Sequence, residues 1–268
     1  MNETMNRMTS CLARRVLSLC FLFVTACPVV AQTIVVNRAD GTKVRFRLSD
    51  ILSIDVNPTD DQPLADGEVD GHGYVDLGLP SGTLWATMNV GAESETGHGD
   101  YFAWGETSGF QGGKATYTWD TYRWCHSSGR SMTKYCTDLT MGSVDDRTEL
   151  DPVDDAATAQ WGEHWQMPSK DQQEELRSAC DWTWTVQDGV SGYEIQSRVN
   201  RHVLFLPASG YRYEKQASFV GGNGLYWSRT LSSGSSYYAA YLLFGYKDVS
   251  QDTRQRFYGL SVRAVVRK

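Results

Sequence analysis

The clearest alternation of apolar and polar positions lies near the chain's end. There Leu260, Val262, Ala264 and Val266 fall on one face of an extended segment, with Ser261, Arg263 and Arg267 on the other. The same period of two marks 33–37 and 43–47, and Asp40-Gly41 supplies a hairpin turn between them. Short strands are predicted at 74–77, 83–89 and 101–104, separated by glycine-rich turns. After Cys180 they are predicted at 182–186, 193–199, 203–206, 225–229, 237–244 and 259–266.

Two helices interrupt this β pattern. Asp151-Pro152 sets an acidic cap before a helix-initiating proline, with Asp154 at the third helical position and alanines continuing to Gly162. The second helix starts at Ser169, which has capping-box spacing to Gln172, while Asp171, Glu174 and Glu175 suit the positive end of the helix dipole. Between them Trp161 and Trp165 flank Glu163-His164. Large aromatics around a tight link pack helices onto a sheet, so this stretch reads as architecture. Strands, two helices, then many strands predict an α+β domain with a mainly antiparallel twisted sheet. Residues 105–150 are rich in Gly, Ser, Thr and aromatics without periodicity, which marks a functional or mobile loop.

The first residues change the picture of where the protein acts. Arg14-Arg15 precedes an apolar run, 16–26, too short to span a bilayer as a helix. Residues 1–31 therefore read as a signal peptide. Cleavage before Gln32 fits the small Val29 and Ala31, and a lipobox-like Val24-Thr-Ala-Cys27 offers the rival outcome, a lipid anchor on Cys27. Both predict export, to the medium or the outer surface, with no membrane span after processing. Residues 32–57 form a small β unit. Residues 58–72 are acidic and read as a linker, and 73–268 hold the main domain.

Net charge is −7 over 268 residues, and removing Glu3, Arg7, Arg14 and Arg15 takes away a net +2 to leave −9. Such a chain is poorly suited to nucleic acid or anionic membranes. Cys125, Cys136 and Cys180 remain beyond the signal region. In an oxidising compartment they predict one disulfide, Cys125–Cys136 or Cys136–Cys180, and one thiol.

Catalytic and metal motifs fail on inspection. The segment 109–115 lacks both the spacing and the hydroxyl of a phosphate loop, since Ala115 stands at the magnesium position. Asp66-Gly-Glu-Val-Asp70-Gly71 opens like a calcium loop, but Leu77 stands where a bidentate acid is needed. The five histidines are scattered, and no zinc pattern or GxSxG elbow occurs. No cofactor or metal is expected. Paired carboxylates, which carry no short motif, leave a glycan-acting enzyme as the alternative to a binding protein.

Several segments in order resemble the Fibrobacter-type major paralogous domain. They are 73–91, 101–106, Asp154–Ala157 with Trp161-Gly162, 165–169, 206–212, 224–228 and 259–263. Residues 33–56 resemble the short β unit that often precedes such domains in secreted proteins of gut-dwelling Bacteroidetes. The resemblance implies a branch of the C-type-lectin-like fold and a non-enzymatic recognition module for a carbohydrate or extracellular protein ligand, with a role in adhesion. Related oxidases use paired cysteines late in the chain, and none follows Cys180. The EPN and WND triplets of calcium-dependent lectins are absent as well. The implied binding face runs from Asn223 to Tyr246. Its candidates are Asn223, Tyr226, Arg229, Ser232, Ser235, Tyr237, Tyr238 and Tyr246, a serine- and tyrosine-rich set with the composition of a paratope. A structural component of an extracellular assembly, docked through 33–56, is the third reading.

Overall fold

A computed structural model describes residues 33–37, 43–47, 65–126 and 131–267. The chain divides into two compact units, 1–61 and 62–268. In the smaller unit β1 (Thr33–Asn37) and β2 (Lys43–Arg47) pair antiparallel, from Thr33 opposite Arg47 to Asn37 opposite Lys43. The signal segment, Cys27, the Asp40-Gly41 turn and residues 58–64 lie outside the described residues.

The larger unit opens with β3 (Gly67–Val69), β4 (His72–Asp76) and β5 (Leu84–Asn89). A long loop leads to β6 (Cys125–His126) and β7 (Ser131–Met132). Helix α1 (Ala156–Trp161), strand β8 (Trp165–Gln166) and helix α2 (Lys170–Ala179) follow. The remainder is β: β9 (Cys180–Gln187), β10 (Val190–Ser197), β11 (Val203–Pro207), β12 (Tyr211–Tyr213) and β13 (Gln216–Ser218). The last strands are β14 (Asn223–Leu231), β15 (Tyr238–Gly245), β16 (Val249–Gln255) and β17 (Arg263–Val266). The main sheets have the orders β3-β4-β5-β17-β8, β11-β10-β9 and β14-β15-β16, all antiparallel. This is an α+β architecture dominated by strands. Among the described residues no helix is long and apolar enough to cross a membrane.

Two apolar clusters hold these layers together. One gathers Trp104, Trp165, Trp227 and Tyr241; the other gathers Trp85, Leu176, Ile195, Tyr226 and Phe244. A buried tryptophan removes roughly 200 Å² from water, worth about 5 kcal/mol before ordering costs. Helix α2 docks through its own spacing of three. Leu176 packs in the second cluster, and Gln173 Nε2 donates to the carbonyls of Tyr226 and Trp227 at 3.0 and 3.2 Å. Its start is the expected capping box: Ser169 Oγ accepts from Gln172 N–H at 3.1 Å, and Gln172 Oε1 accepts from Ser169 N–H at 2.8 Å.

Several expectations need correction. Pro152–Asp154 form a 3-10 turn, and the cap of α1 is Asp155, whose carboxylate accepts from Thr158 N–H at 3.0 Å. The predicted strand 101–104 contributes only a bridge, Phe102 to Leu260. Arg263 and Ser261 are buried like their apolar neighbours, because β17 lies between β5 and β8 and is covered on both faces. Cys136 and Cys180 are buried free thiols, so neither predicted disulfide forms.

The acidic stretch 66–72 is a hairpin and belongs to the main sheet. Asp70-Gly71, at φ 49° and 81°, makes the two-residue turn between β3 and β4. Its acids are clasps to the rest of the unit. Asp66 Oδ2 lies 2.7 Å from His202 Nδ1, and Asp70 Oδ2 lies 2.9 Å from His164 Nδ1. Trp165 Nε1 donates to the carbonyl of Val69 at 3.0 Å, and His72 stacks on Trp161 at 4.0 Å. Burial lowers the pKa of His72, against the charges of Asp70 and Glu68, and so favours the neutral form of that stacked ring. Glu163-His164 is therefore architecture, as the flanking tryptophans suggested.

The hydrogen bond that His164 donates to Asp70, and the Asp70 charge, raise the pKa of His164. Folding then binds a proton, so this clasp stabilises fully below the unfolded imidazole pKa of about 6.5 and fades as pH rises through the raised value. The gap in Tm between the native chain and Asp70→Asn is expected to be wider at acidic than at alkaline pH. An equal gap at both would show that the imidazolium plays no part.

Candidate functional site

The turn between β14 and β15 is fixed by its own serines. Ser232 Oγ accepts from Gly234 N–H at 3.2 Å and Ser235 Oγ from Tyr237 N–H at 3.3 Å. Ser232 N–H donates to the carbonyl of Tyr238 at 3.0 Å, and Tyr238 N–H donates to that of Ser235 at 3.1 Å. Serine hydroxyls that bond two residues along stiffen a turn without an apolar base.

Facing this turn is the loop 137–144. Thr137 N–H donates to Ser236 Oγ at 2.9 Å, and Ser235 Oγ donates to Met141 Sδ at 3.5 Å. An open cleft of about 520 Å³ lies between them, lined by Thr137, Asp138, Leu139, Met141, Val144 and Ser233 through Ser236. Thr140 donates its hydroxyl and its N–H to Asp138 Oδ1, at 2.7 and 2.8 Å. These bonds hold the Asp138 carboxyl below its usual pKa. The cleft thus combines hydroxyls, one ionised carboxylate and an apolar rim that includes the 84% exposed Leu139.

Beneath the cleft lies Arg256, fully buried. Its guanidinium donates to Tyr122 Oη at 2.8 Å and to the carbonyls of Ser236 at 2.9 Å, Tyr135 at 3.1 Å and Lys134 at 3.1 Å. One side chain therefore ties the serine turn to the strand of chain entering the loop. Asp145 closes the other end of the loop. Against the opposing effect of burial, N–H bonds from Cys136 and Tyr135, both 2.9 Å, hold its carboxyl below the usual range. A chain of touching rings leads away from the turn: Tyr237 to Trp119 at 5.6 Å, Trp119 to Phe257 at 4.8 Å, Phe257 to Tyr258 at 4.7 Å and Tyr258 to Tyr213 at 5.1 Å.

The eight candidates on 223–246 do not form one site. Ser235 lines the cleft, and Ser232, Tyr237 and Tyr238 stand at the same end of the hairpin. Asn223 and the 67% exposed Tyr246 stand at the other end, where Tyr246 meets Trp184 at 6.0 Å. The nine residues of β14 at about 3.4 Å a step separate these ends by roughly 27 Å. Arg229 is committed to an ion pair with Glu149 and to the carbonyl of Met167 at 3.3 Å. Tyr226 is buried, with its hydroxyl donating to Pro207 O at 2.6 Å, so it faces no surface ligand. Tyr226, Trp227 and Ser228 are all buried, because β14 is covered on both faces.

Thr137, Asp138, Met141 and Val144 were not foreseen individually. Their only signal was the long aperiodic run from 105 to 150. Among the described residues no cluster of His, Cys, Asp and Glu could hold a metal ion. Two carboxylates of the would-be calcium loop, Asp66 and Asp70, are engaged with His202 and His164. Fold and cleft together define an α+β domain with a hydroxyl-lined surface site on a rigid base. Compared with known proteins, the chain matches no protein-family model, no curated protein and no solved structure.

Replacing Arg256 with methionine nearly keeps the volume but strips the buried carbonyls of Tyr135 and Ser236, and the part-buried one of Lys134, of this donor. Each buried acceptor left unpaired costs about 1–3 kcal/mol. Arg256→Met is expected to lower Tm by well over ten degrees in calorimetry and to speed amide exchange at Ser236 and Thr137. A change of only a degree or two would show that the cleft does not rest on this side chain.

Proposed function

We propose that this chain is a non-enzymatic recognition protein, secreted or held at the outer cell surface, whose C-type-lectin-like domain binds a carbohydrate or an extracellular protein. The ligand sits in the cleft between the serine turn 232–237 and the loop 137–144. The observation that carries this reading is the bonding of the cleft's hydroxyls. Those of Ser235 and Ser236 run to a thioether, to backbone N–H groups and to Thr137, partners that orient a hydroxyl without activating it. Groups so placed discriminate a ligand by hydrogen bonding, and Leu139, Met141 and Val144 supply apolar contact beside them. Resemblance to the major paralogous domain, and the signal-like residues 1–31, support recognition outside the cell.

Two side chains test the site. A ligand identified on a glycan or extracellular-protein array is expected to lose roughly ten- to hundredfold in affinity with Asp138→Asn, the range of a lost charged hydrogen bond. Ser235→Ala should weaken it by a smaller factor, and Tyr246→Ala, at the far end of the hairpin, should leave it unchanged. Loss of binding in Tyr246→Ala with Asp138→Asn intact would place the site at the other end.

A further inference from the structure

Among the described residues the edges of the three main sheets are guarded, β9 least of all. Strands β3 and β8 are three and two residues long, too short to template another strand. The outer carbonyl of Phe205 on β11 is taken by Arg263 Nη2 at 3.0 Å. On β14, Trp227 N–H reaches Ser261 O at 3.0 Å and Arg229 N–H reaches Pro168 O at 2.8 Å. Strand β16 carries Asp252 and Arg254, and Thr253 N–H folds back onto Asp252 Oδ1 at 2.7 Å. Strand β9 has such a device only at its start, where Arg198 Nη2 takes the carbonyl of Cys180 at 2.9 Å and Arg198 Nε pairs with Asp181 at 2.7 Å; from Trp182 to Gln187 it has none. It reads CDWTWTVQ over eight residues, in unbroken register with β10, with no proline, lysine or bulge.

Turn geometry shows which of its groups are free. Asp188-Gly189, at φ 50° and 80°, is a two-residue turn closed by Gln187 and Val190. In such a turn the closing pair exchanges both hydrogen bonds, and every second pair does so after it. Asp181, Thr183, Thr185 and Gln187 therefore bond to β10. Trp182, Trp184 and Val186 point their N–H and C=O groups outward, where among the described residues no strand pairs with β9. Their side chains share one face, on which Val186 is 60% exposed and Trp184 adjoins the exposed Tyr246.

We propose that a second copy of this chain fills that edge, the two β9 strands pairing antiparallel about a two-fold axis at Trp184. Opposed residues in an antiparallel pair share a face, so outward-bonding residues must meet outward-bonding residues. With the axis at Trp184, Trp184 meets its own copy, Trp182 meets Val186, and Thr183 meets Thr185. Aromatic pairs, aromatic with β-branched pairs and threonine pairs are the combinations that stabilise antiparallel ladders. Asp181, the one charged residue in the strand, meets the neutral Gln187, so no like charges oppose. The edge is complementary to itself, which is what an isologous interface requires. Two three-stranded sheets become one sheet of six.

The test uses sedimentation of the full chain over a concentration series, with amide exchange read residue by residue. A reversible dimer is expected, and exchange at Trp182, Trp184 and Val186 should slow as it forms. Val186→Pro removes an outward N–H and leaves the ladder to β10 intact. It should weaken the dimer at least tenfold while Thr183 and Thr185 amides stay protected. A chain that remains monomeric at high concentration overturns the proposal. So does a dimer that Val186→Pro leaves intact, or one whose formation does not change exchange at Trp184.

Discussion

A buried guanidinium that, among the described residues, no carboxylate meets at ion-pair distance, though the charge of buried Glu95 acts on it, is the constraint on which this fold depends. Arg263 is sealed in the interior, where desolvation depresses its pKa to about 10. Its donors reach Asn89 Oδ1 at 2.9 Å and the carbonyls of Ala86 at 3.1 Å, Thr87 at 2.9 Å and Phe205 at 3.0 Å. A planar group with five N–H donors can satisfy several strand carbonyls at once, which a lysine ammonium cannot do with the same geometry. Through it the last strand holds β5 on one side and the outer edge of β11 on the other. The sheets β3-β4-β5-β17-β8 and β11-β10-β9 are thereby joined by a polar side chain at the place where the apolar clusters meet.

Seven residues earlier Arg256 repeats the device for loops. Its partners belong to segments without regular structure, and its plane lies 4.8 Å from the Trp104 ring. Loops around a site are usually the least ordered part of a domain. Here a fixed donor collects their carbonyls and holds the cleft's hydroxyls in place, which on the proposed reading is before any ligand arrives. Less ordering then remains to oppose binding. One short C-terminal segment thus organises both the sheets and the walls of the cleft.

Local signals in the sequence were sound where chemistry is local. The Ser169 capping box, the stop at Gly162 and the packing role of Trp161 and Trp165 could all be read directly. What escaped depends on tertiary cover. Arg263 alternates with apolar residues and so looks outward-facing, yet β17 is flanked on both sides and covered on both faces. Acids at 66–70 look like a solvated linker because their partners, His202 and His164, are about a hundred residues away. Asp155 replaces Asp151 as the α1 cap because Met167 N–H also reaches its carboxylate, at 2.8 Å, a contact no local pattern encodes. Half of the candidate site was visible as a serine-rich turn. The other half, 137–144, has no periodicity and is defined only by what it bonds to.

The serine- and tyrosine-rich hairpin serves two surfaces at its opposite ends. One end forms the cleft with the loop 137–144, while the other brings Tyr246 beside Trp184 on the open edge of β9. Roughly 27 Å of strand lies between them. Pairing through β9 would therefore leave both clefts of a dimer uncovered, each held by its own Arg256. A dimer with two rigid clefts gains from effective concentration when its ligand is repeated along a polymer or across a surface, and it needs no new contact to do so. A shallow site of modest affinity is then sufficient. This matches a cleft that offers scattered hydroxyls and one carboxylate in place of a deep enclosing pocket.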